Sequence, residues 1–409
     1  LRSPFVTAVA VISLALGIGA NAAIFSLFDQ FLIASLPVDE PERLVNLAAP
    51  GPKPGSQSCN DAGDCDEVFS YPMFRDLEAD GAGFAGLAGH RLFGVNLATG
   101  DRTTAGRGLY VSGSYFNLLG VRPAVGRLLT PDDDDQPGVH PVAVLGYRYW
   151  ERELGADRGV LNGTIVVNGT PMTVVGVAER GFEGTTRGAV PDVYVPLSMR
   201  AALESGFTPE DFDERRSYWV YVFARLRPGA ELAPTVEQAN ALYQSIVREV
   251  EAPLQQGLSE ATLARFLDKP LLASPGRRGQ SSLNREARTP LMLLMGITGM
   301  VLLIACANIA NLLLVRGQAR APELAIRGSL GATRGQMIGQ LLRESVVLAA
   351  LGGLAALLVA EWTLDLIGSF FPPEDLQMMD LSMRPMVFVA TGVLALATGV
   401  LFGLYPALD

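Results

Sequence analysis

Three stretches of this chain carry no charged residue for longer than a bilayer is thick: Ser3 to Phe28, Thr289 to Val315 and Pro385 to Leu408. A helix needs about 20 residues to cross about 30 Å of hydrocarbon. Lipid offers no partner to a bare backbone amide, so such a run spans as a helix. A fourth run, Ser345 to Pro373, is broken only by Glu361 and Asp365. These two lie four apart on one helical face near the far end, where an interfacial position is tolerable. Composition agrees: 49% hydrophobic and 18% charged residues over 409 positions, with mean hydropathy +0.27, is too apolar for a soluble chain of this size. The expected architecture is an all-α module of four transmembrane helices with an α+β domain inserted after the first. Residues 1–36 form the first span and its stalk, 37–288 the inserted domain and 289–409 the remaining membrane domain. Within the last, spans cover 289–316, 337–371 and 385–408, and 317–336 is a connecting segment.

Arginine placement orients the module. The connection between the second and third spans holds Arg316, Arg320, Arg327 and Arg334, with Arg343 just beyond, against Glu323 and Glu344; Arg2 precedes the first span. Basic flanks stay on the cytoplasmic side. Both ends and 317–336 are therefore expected inside, with 37–288 and a short 372–384 loop outside. The chain starts with leucine and stops just after an apolar run, so it is expected to be part of a longer protein. The first run is too long for the apolar region of a cleavable signal peptide.

The inserted domain mixes both kinds of element. "TIVVNGTPMTVVGVA" holds two β-rich runs joined by Asn168-Gly169, a strong hairpin signal. "PVAVLGYRYWERELG" passes from a short strand into a helix, "SYWVYVFARLRPGA" alternates like a strand, and 233–252 has helical periodicity. Residues 274–288, rich in Ser, Gly and Arg, suggest a linker. The chain's net charge of −10 arises largely between 37 and 289, where 25 Lys+Arg face 33 Asp+Glu. An acidic balance gives no reason to expect a nucleic-acid partner.

Motifs of catalysis are missing. A phosphate-binding Walker loop needs a lysine after glycine. The two lysines, Lys53 and Lys269, follow Pro52 and Asp268. His90 and His140 are far apart and in no H-E-x-x-H frame, and no serine has glycine at both −2 and +2. No metal site is expected. Asp132 to Asp135 lack the alternate spacing of a calcium loop and suggest a solvated acidic turn. Cys59 and Cys65 form a local disulfide if their compartment is oxidising, whereas Cys306 is a small apolar residue of the second span. In the first span, Ser13 with Gly17 and Gly19 with Ala23 are small residues four apart, the spacing that lets helix backbones approach closely. Asn21, Asn308 and Asn311 are expected to face helices rather than lipid.

The segment "RAPELAIRGSLGATRGQ" (320–336) is ordered for a linker. Pro322 suits a first helical turn, Glu323 suits the positive end of the helix dipole, and Glu323 with Arg327 can pair at i, i+4. Gly331 is a stop, and Thr333 with Gln336 forms a capping box for the next helix.

This segment resembles the R-x-x-E-[IL]-[AG]-[IL]-R-x-x-[LV]-G-A pattern of MacB/FtsX-type ABC transporter permeases, matched by Arg320, Glu323, Ala325, Ile326, Arg327, Leu330, Gly331 and Ala332. "FVTAVAVISLALGIGANAAIFSLFDQFLIASLP" is similar to the group's first span. "VSGSYFNLLGVRPAVGRLLTPDDD", "HPVAVLGYRYWERELG" and "VNGTPMTVVGVAERGF" resemble its periplasmic core domain. The nearest variant is one module of the duplicated orphan permease. The resemblance implies a bacterial inner-membrane, multi-pass subunit with its large domain in the periplasm. It implies no cofactor of its own, because ATP is bound by a separate cytoplasmic ATPase. Arg320, Glu323, Leu324, Ile326, Arg327, Leu330, Gly331 and Ala332 would form the coupling helix that docks on that ATPase. Long stalks would carry its motion to the periplasmic domain, a mechanotransmission serving export or extrusion. A first helix over 3–35 is about 50 Å long, more than a bilayer needs. A second module, in cis or as a homodimer, and a periplasmic adaptor are further implied partners. Alternatives are lipoprotein release, FtsX-like regulation of a cell-wall hydrolase, and a membrane-anchored sensor without an ATPase.

Overall fold

The structure, a computed structural model, describes residues 4–100, 102–282, 287–319, 334–370, 383 and 385–408. The chain divides into two compact units, 1–33 with 286–409 and 34–285. The sequence expectation set its boundaries at 36/37 and 288/289, each three residues later.

The first unit opens with helix α1 (Pro4–Phe28), which continues as a π turn, Asp29–Ile33. Among the described residues the inserted unit contains one twelve-stranded mixed sheet, β1 to β12 in chain order, with central path β12-β1-β11-β4-β5-β10-β7-β9-β6, the last being Pro123–Gly126. Its spine is β11 (Ser217–Arg225), buried over nearly its whole length. Beside it lie β1 (Leu44–Ala48), β4 (Gly86–Thr99) and β5 (Arg102–Val111), the last two a long antiparallel hairpin. Then follow β10 (Val193–Pro196), β7 (Val142–Leu145) and β9 (Thr170–Ala178). Strand side chains alternate between faces, and this alternation sorts the core in two. Val220, Val222 and Ala224 of β11 join Tyr110, Val195 and Leu145 on one face. Tyr221 and Phe223 join Leu109, Val111, Tyr194 and Val144 on the other. Helices α2 (Tyr71–Asp80) to α7 (Glu260–Leu267) cover the sheet, including α6 (Leu232–Ile246).

The expected hairpin forms between β8 (Thr164–Val167) and β9, with Val167 opposite Thr170 and positive φ at both Asn168 and Gly169. That is the backbone twist a two-residue hairpin requires. Two expectations fail. Leu272–Pro275 is a strand, β12, paired with β1, and Gly276, Gly279, Gln280 and Ser281 beyond it are buried, so 274–282 belongs to the folded domain and is not a free linker. The acidic turn is not solvated throughout: Asp132 and Asp135 are exposed, but Asp133 and Asp134 are buried. Arg127 pairs with Asp133 through its two terminal nitrogens, Nη1 and Nη2, at 2.6 and 2.8 Å. The Ser198 and Gly113 amides donate to Asp134 at 2.8 and 3.3 Å. Those donors replace the water each carboxylate gives up on burial.

The first unit resumes with α8 (Arg288–Ala319), α9 (Arg334–Gly368) and α10 (Pro385–Leu408). Among the described residues three helices contain stretches long and apolar enough to span a membrane, at Thr7–Phe28, Arg288–Asn311 and Ser345–Gly368. In α10 the corresponding apolar stretch among the described residues, Pro385–Val400, is shorter.

Candidate functional site

The membrane unit is organised around α1, whose small residues serve two different neighbours. A Cβ built on Gly17 would meet Leu302 Cδ1 of α8 at 3.1 Å, and one on Gly19 would meet Val359 of α9 at 2.7 Å and the Ala356 carbonyl at 2.8 Å. Two residues apart on a helix is about 200° around its axis, so the two glycines open opposite sides. Ala23 is fully buried with Ala22, Ala360, Leu364 and Val387, while Ser13 is half-buried. Asn21 ties α1 to α8: its amide donates to the Thr298 carbonyl at 2.8 Å, and the Thr298 hydroxyl donates to its Oδ1 at 3.1 Å. The same amide donates to Gly17 O at 2.8 Å. An amide closed in this way leaves little polarity to lipid.

Asn308 and Asn311 depart from expectation. Both lie on the exposed side of α8, whose apolar stretch is only 17% buried against 56% for α1. Among the described residues they do not take part in the helix packing of this unit. Glu361 and Asp365 are exposed and together line an open cavity of about 660 Å³ with Leu354, Leu358, Leu364, Met383 and Phe388. The expected coupling residues Arg320, Glu323, Leu324, Ile326, Arg327, Leu330, Gly331 and Ala332 lie outside the described residues.

In the inserted unit Cys59 and Cys65 are joined as a disulfide, Cα to Cα 5.3 Å, and Cys306 is free. Among the described residues no three His, Cys, Asp or Glu side chains come together as a metal site. His90 is buried in an aromatic cage of Tyr115, Tyr221 and Phe223, and its Nε2 lies 3.1 Å from Gln280 Oε1. Burial lowers its pKa to about 4. As a neutral ring it donates from Nε2.

One ionic cluster escaped the sequence reading. Both lysines of the chain converge around Glu251, 198 and 18 residues away respectively in sequence. Lys53 donates to the Cys65 carbonyl at 2.7 Å, and Lys269 sits 4.1 Å from the centre of the Phe266 ring. Burial lowers each lysine to about 8 and raises Glu251. An amine so tuned beside a carboxylate has the chemistry of an acid–base pair. The cavity it borders is about 10 Å³. That is room for one water, where a ligand pocket holds about 300 Å³ or more. The cluster is therefore core structure. The available signal was that the only two lysines, among 32 basic residues, fall in this one domain.

Residues 7–242 match the family model of the MacB-like periplasmic core domain, and 295–409 match that of the FtsX-like permease C-terminal region. Among curated proteins, the uncharacterized ABC transporter permease YvrN of Bacillus subtilis is 27% identical over 304 residues, 73% of this chain and 66% of that protein. The uncharacterized permease YknZ of the same organism is 25% identical over 302 residues, 73% of this chain and 65% of its own length. The macrolide export ATP-binding/permease protein MacB of Aggregatibacter actinomycetemcomitans is 24% identical over 265 residues, 64% of this chain but 36% of that protein. The chain thus spans just under two thirds of the Bacillus relatives. Of solved structures, the periplasmic region of MacB from Actinobacillus actinomycetemcomitans superposes with a TM-score of 0.39 at 14% identity, over 57% of this chain and 89% of that one. The extracellular domain of the transporter YknZ gives 0.36 at 16% identity, over 49% and 93%.

Proposed function

The chain belongs to the MacB-like periplasmic core domain family, continued by an FtsX-like permease region, and from that premise we propose that it is one permease module of an ABC transporter driven by a separate ATPase. The observation that carries this reading is the joint order of the two matches: a folded domain between the first span-length helix and a membrane domain that packs against that helix. In this reading α10 completes four spans, the arginine-rich 317–336 connection faces the cytoplasm of a bacterial inner membrane, and the inserted domain lies in the periplasm. ATP is hydrolysed by the partner, whose motion reaches the inserted domain through the flanking helices. A second module, in cis or in trans, covers α8. Support for the last point comes from Asn308 and Asn311, which stand exposed among Leu303, Ile304 and Met300. A polar side chain in lipid is satisfied by another helix. Substrate export is the use in keeping with the family.

The test is recovery of an ATPase. The permease, tagged in its own host and captured from membranes, is expected to bring a cytoplasmic ABC ATPase down. Glu323→Arg and Leu324→Asp are each expected to lose it while the permease still accumulates in the membrane. If both variants retain the ATPase at wild-type level, the 320–332 segment is not the coupling helix. If the wild-type chain never recruits one, the sensor reading replaces this one.

A further inference from the structure

The chain passes into the inserted domain at Ala34 and out of it beyond Ser282, so along the chain a displacement of either flanking helix enters the domain at two short segments, 34–36 and 276–282. Neither is helix or strand. Leu36, Gly279, Gln280 and Ser281 are nonetheless buried. A buried irregular segment has to find partners for its backbone groups, and here many of them come from a single loop between β9 and β10. The Gln280 amide donates to the Thr185 carbonyl at 2.9 Å, and the Ser281 hydroxyl donates to the Arg187 carbonyl at 3.0 Å. The Arg187 guanidinium then reaches both segments at once. Its Nη2 donates to the Ala34 carbonyl at 2.7 Å and its Nε to the Arg278 carbonyl at 3.2 Å.

The rest of the joint is built to match. Leu36 N–H donates to Arg277 O at 2.8 Å, which lays the two segments side by side. Asn46 Nδ2 donates to Gly279 O at 2.9 Å, and His90 holds the Gln280 side chain from beneath. The loop is itself anchored, because Thr185 Oγ1 lies 2.9 Å from the hydroxyl of the fully buried Tyr115. Gly279, at φ +80°, has the Thr185 carbonyl 2.2 Å from where a Cβ would stand, so only glycine allows the segment to settle against the loop. A planar guanidinium with several fixed donors bridges two carbonyls, whereas an ammonium is a single point of attachment.

We propose that residues 185–187 are a clasp that fastens the incoming and outgoing segments of the inserted domain to one another, with Arg187 as the positioning residue that spans them. Fastened at both segments, the domain moves as one body when either flanking helix is driven. Unfastened, the driven segment peels from the sheet and the stroke is lost locally. The clasp is a property of this domain; only its role in transmission rests on the ATPase-driven reading above.

The experiment is hydrogen–deuterium exchange on the full chain in lipid nanodiscs, comparing wild type with Arg187→Ala and Arg187→Lys. Arg187→Ala is expected to speed exchange of the amides in 34–36 and 276–282 by tenfold or more while β11, at 217–225, keeps wild-type protection. Arg187→Lys, which retains the charge but can hold one carbonyl, is expected to fall between. Unchanged exchange in the two segments overturns the proposal, and so does loosening of β11 in step with them, which would make Arg187 an ordinary contributor to domain stability. With the ATPase bound, addition of ATP and vanadate is expected to alter exchange across the inserted domain of the wild type and not of Arg187→Ala, although both variants bind and hydrolyse ATP equally. Equal responses refute the transmission role. Should the wild type recruit no ATPase, the functional reading fails, and the nucleotide-free exchange still decides whether the clasp exists.

Discussion

Gly19 and Gly17 lie two residues apart in the same apolar helix, yet alanine is expected to destabilise at the first position and to be neutral at the second. A methyl at Gly19 meets Val359 Cβ and Cγ1 at 2.7 Å and the Ala356 carbonyl at 2.8 Å. Neither neighbour can yield: one is backbone, and the other is a β-branched side chain held to one helical rotamer. Overpacking of this kind costs about 1–3 kcal/mol, while replacing glycine by alanine inside a helix returns about 1 kcal/mol. The net expectation for Gly19→Ala is a loss of up to about 2 kcal/mol, up to a thirtyfold shift toward the opened state, and the approaches of 2.7 and 2.8 Å to atoms that cannot move put it toward the upper end. At Gly17 the nearest atom is the far end of the Leu302 side chain at 3.1 Å, which can swing aside. There the helix gain cancels the crowding, and Gly17→Ala is expected within about 0.5 kcal/mol of wild type. Cys306 supplies the assay. It is the free thiol of the chain and packs against the cluster of Ile18, Leu302 and Ala356. Its labelling by a thiol-reactive dye, in nanodiscs and during a thermal ramp, reports the opening of this helix packing. Gly19→Ala should label at lower temperature than wild type and Gly17→Ala should coincide with it. A Gly19→Ala protein as stable as wild type, or a more damaging Gly17→Ala, would refute the assigned interfaces.

Other consequences follow from the same contacts. Asn21→Leu deletes the three bonds that Asn21 makes with Gly17 and Thr298, and a loss of about 1–2 kcal/mol is expected in the same thiol assay. Replacing Cys59 and Cys65 by serine opens a loop with a sequence separation of six, which by chain entropy costs about 2 kcal/mol; the denaturation midpoint of the inserted domain should fall accordingly, and dithiothreitol should lower the wild type but not the variant. The domain's pH response has two opposed sources. Burial lowers His90 from 6.5 to about 4, so the unfolded chain binds that proton first and stability from this group grows between pH 4 and 6.5, by about 3 kcal/mol at most. Burial raises Asp134 from 3.8 to about 7, so the folded chain keeps that proton longer and stability from this group falls across pH 3.8 to 7. Denaturation midpoints at pH 4.5 and 7.5 should show His90→Gln losing the rise and Asp134→Asn losing the fall; parallel profiles for all three proteins would show that neither group titrates as its burial requires.

Much of this architecture is written in short stretches of chain. Hydrocarbon thickness converts directly into residue number, so the uncharged runs at 3–28 and 289–315 announced helices before any contact was known. Turn chemistry is as local: Asn168-Gly169 specifies a two-residue hairpin because both residues accept positive φ, and β8 and β9 pair across it. The small residues of α1 likewise revealed that other helices come close. They could not reveal which, since the phase of a helix defines its faces but not its neighbours; Gly17 met α8 and Gly19 met α9. The misjudged residues share one cause. Asp134 looked like part of a solvated turn until amides from Gly113 and Ser198, 21 and 64 residues away, closed over it. The polar, glycine-rich 276–282 looked like a linker until Thr185 and Arg187 supplied its bonds. Whether a charge or a bare peptide group is desolvated depends on atoms brought from distant parts of the chain, and that is the one quantity a local pattern does not contain.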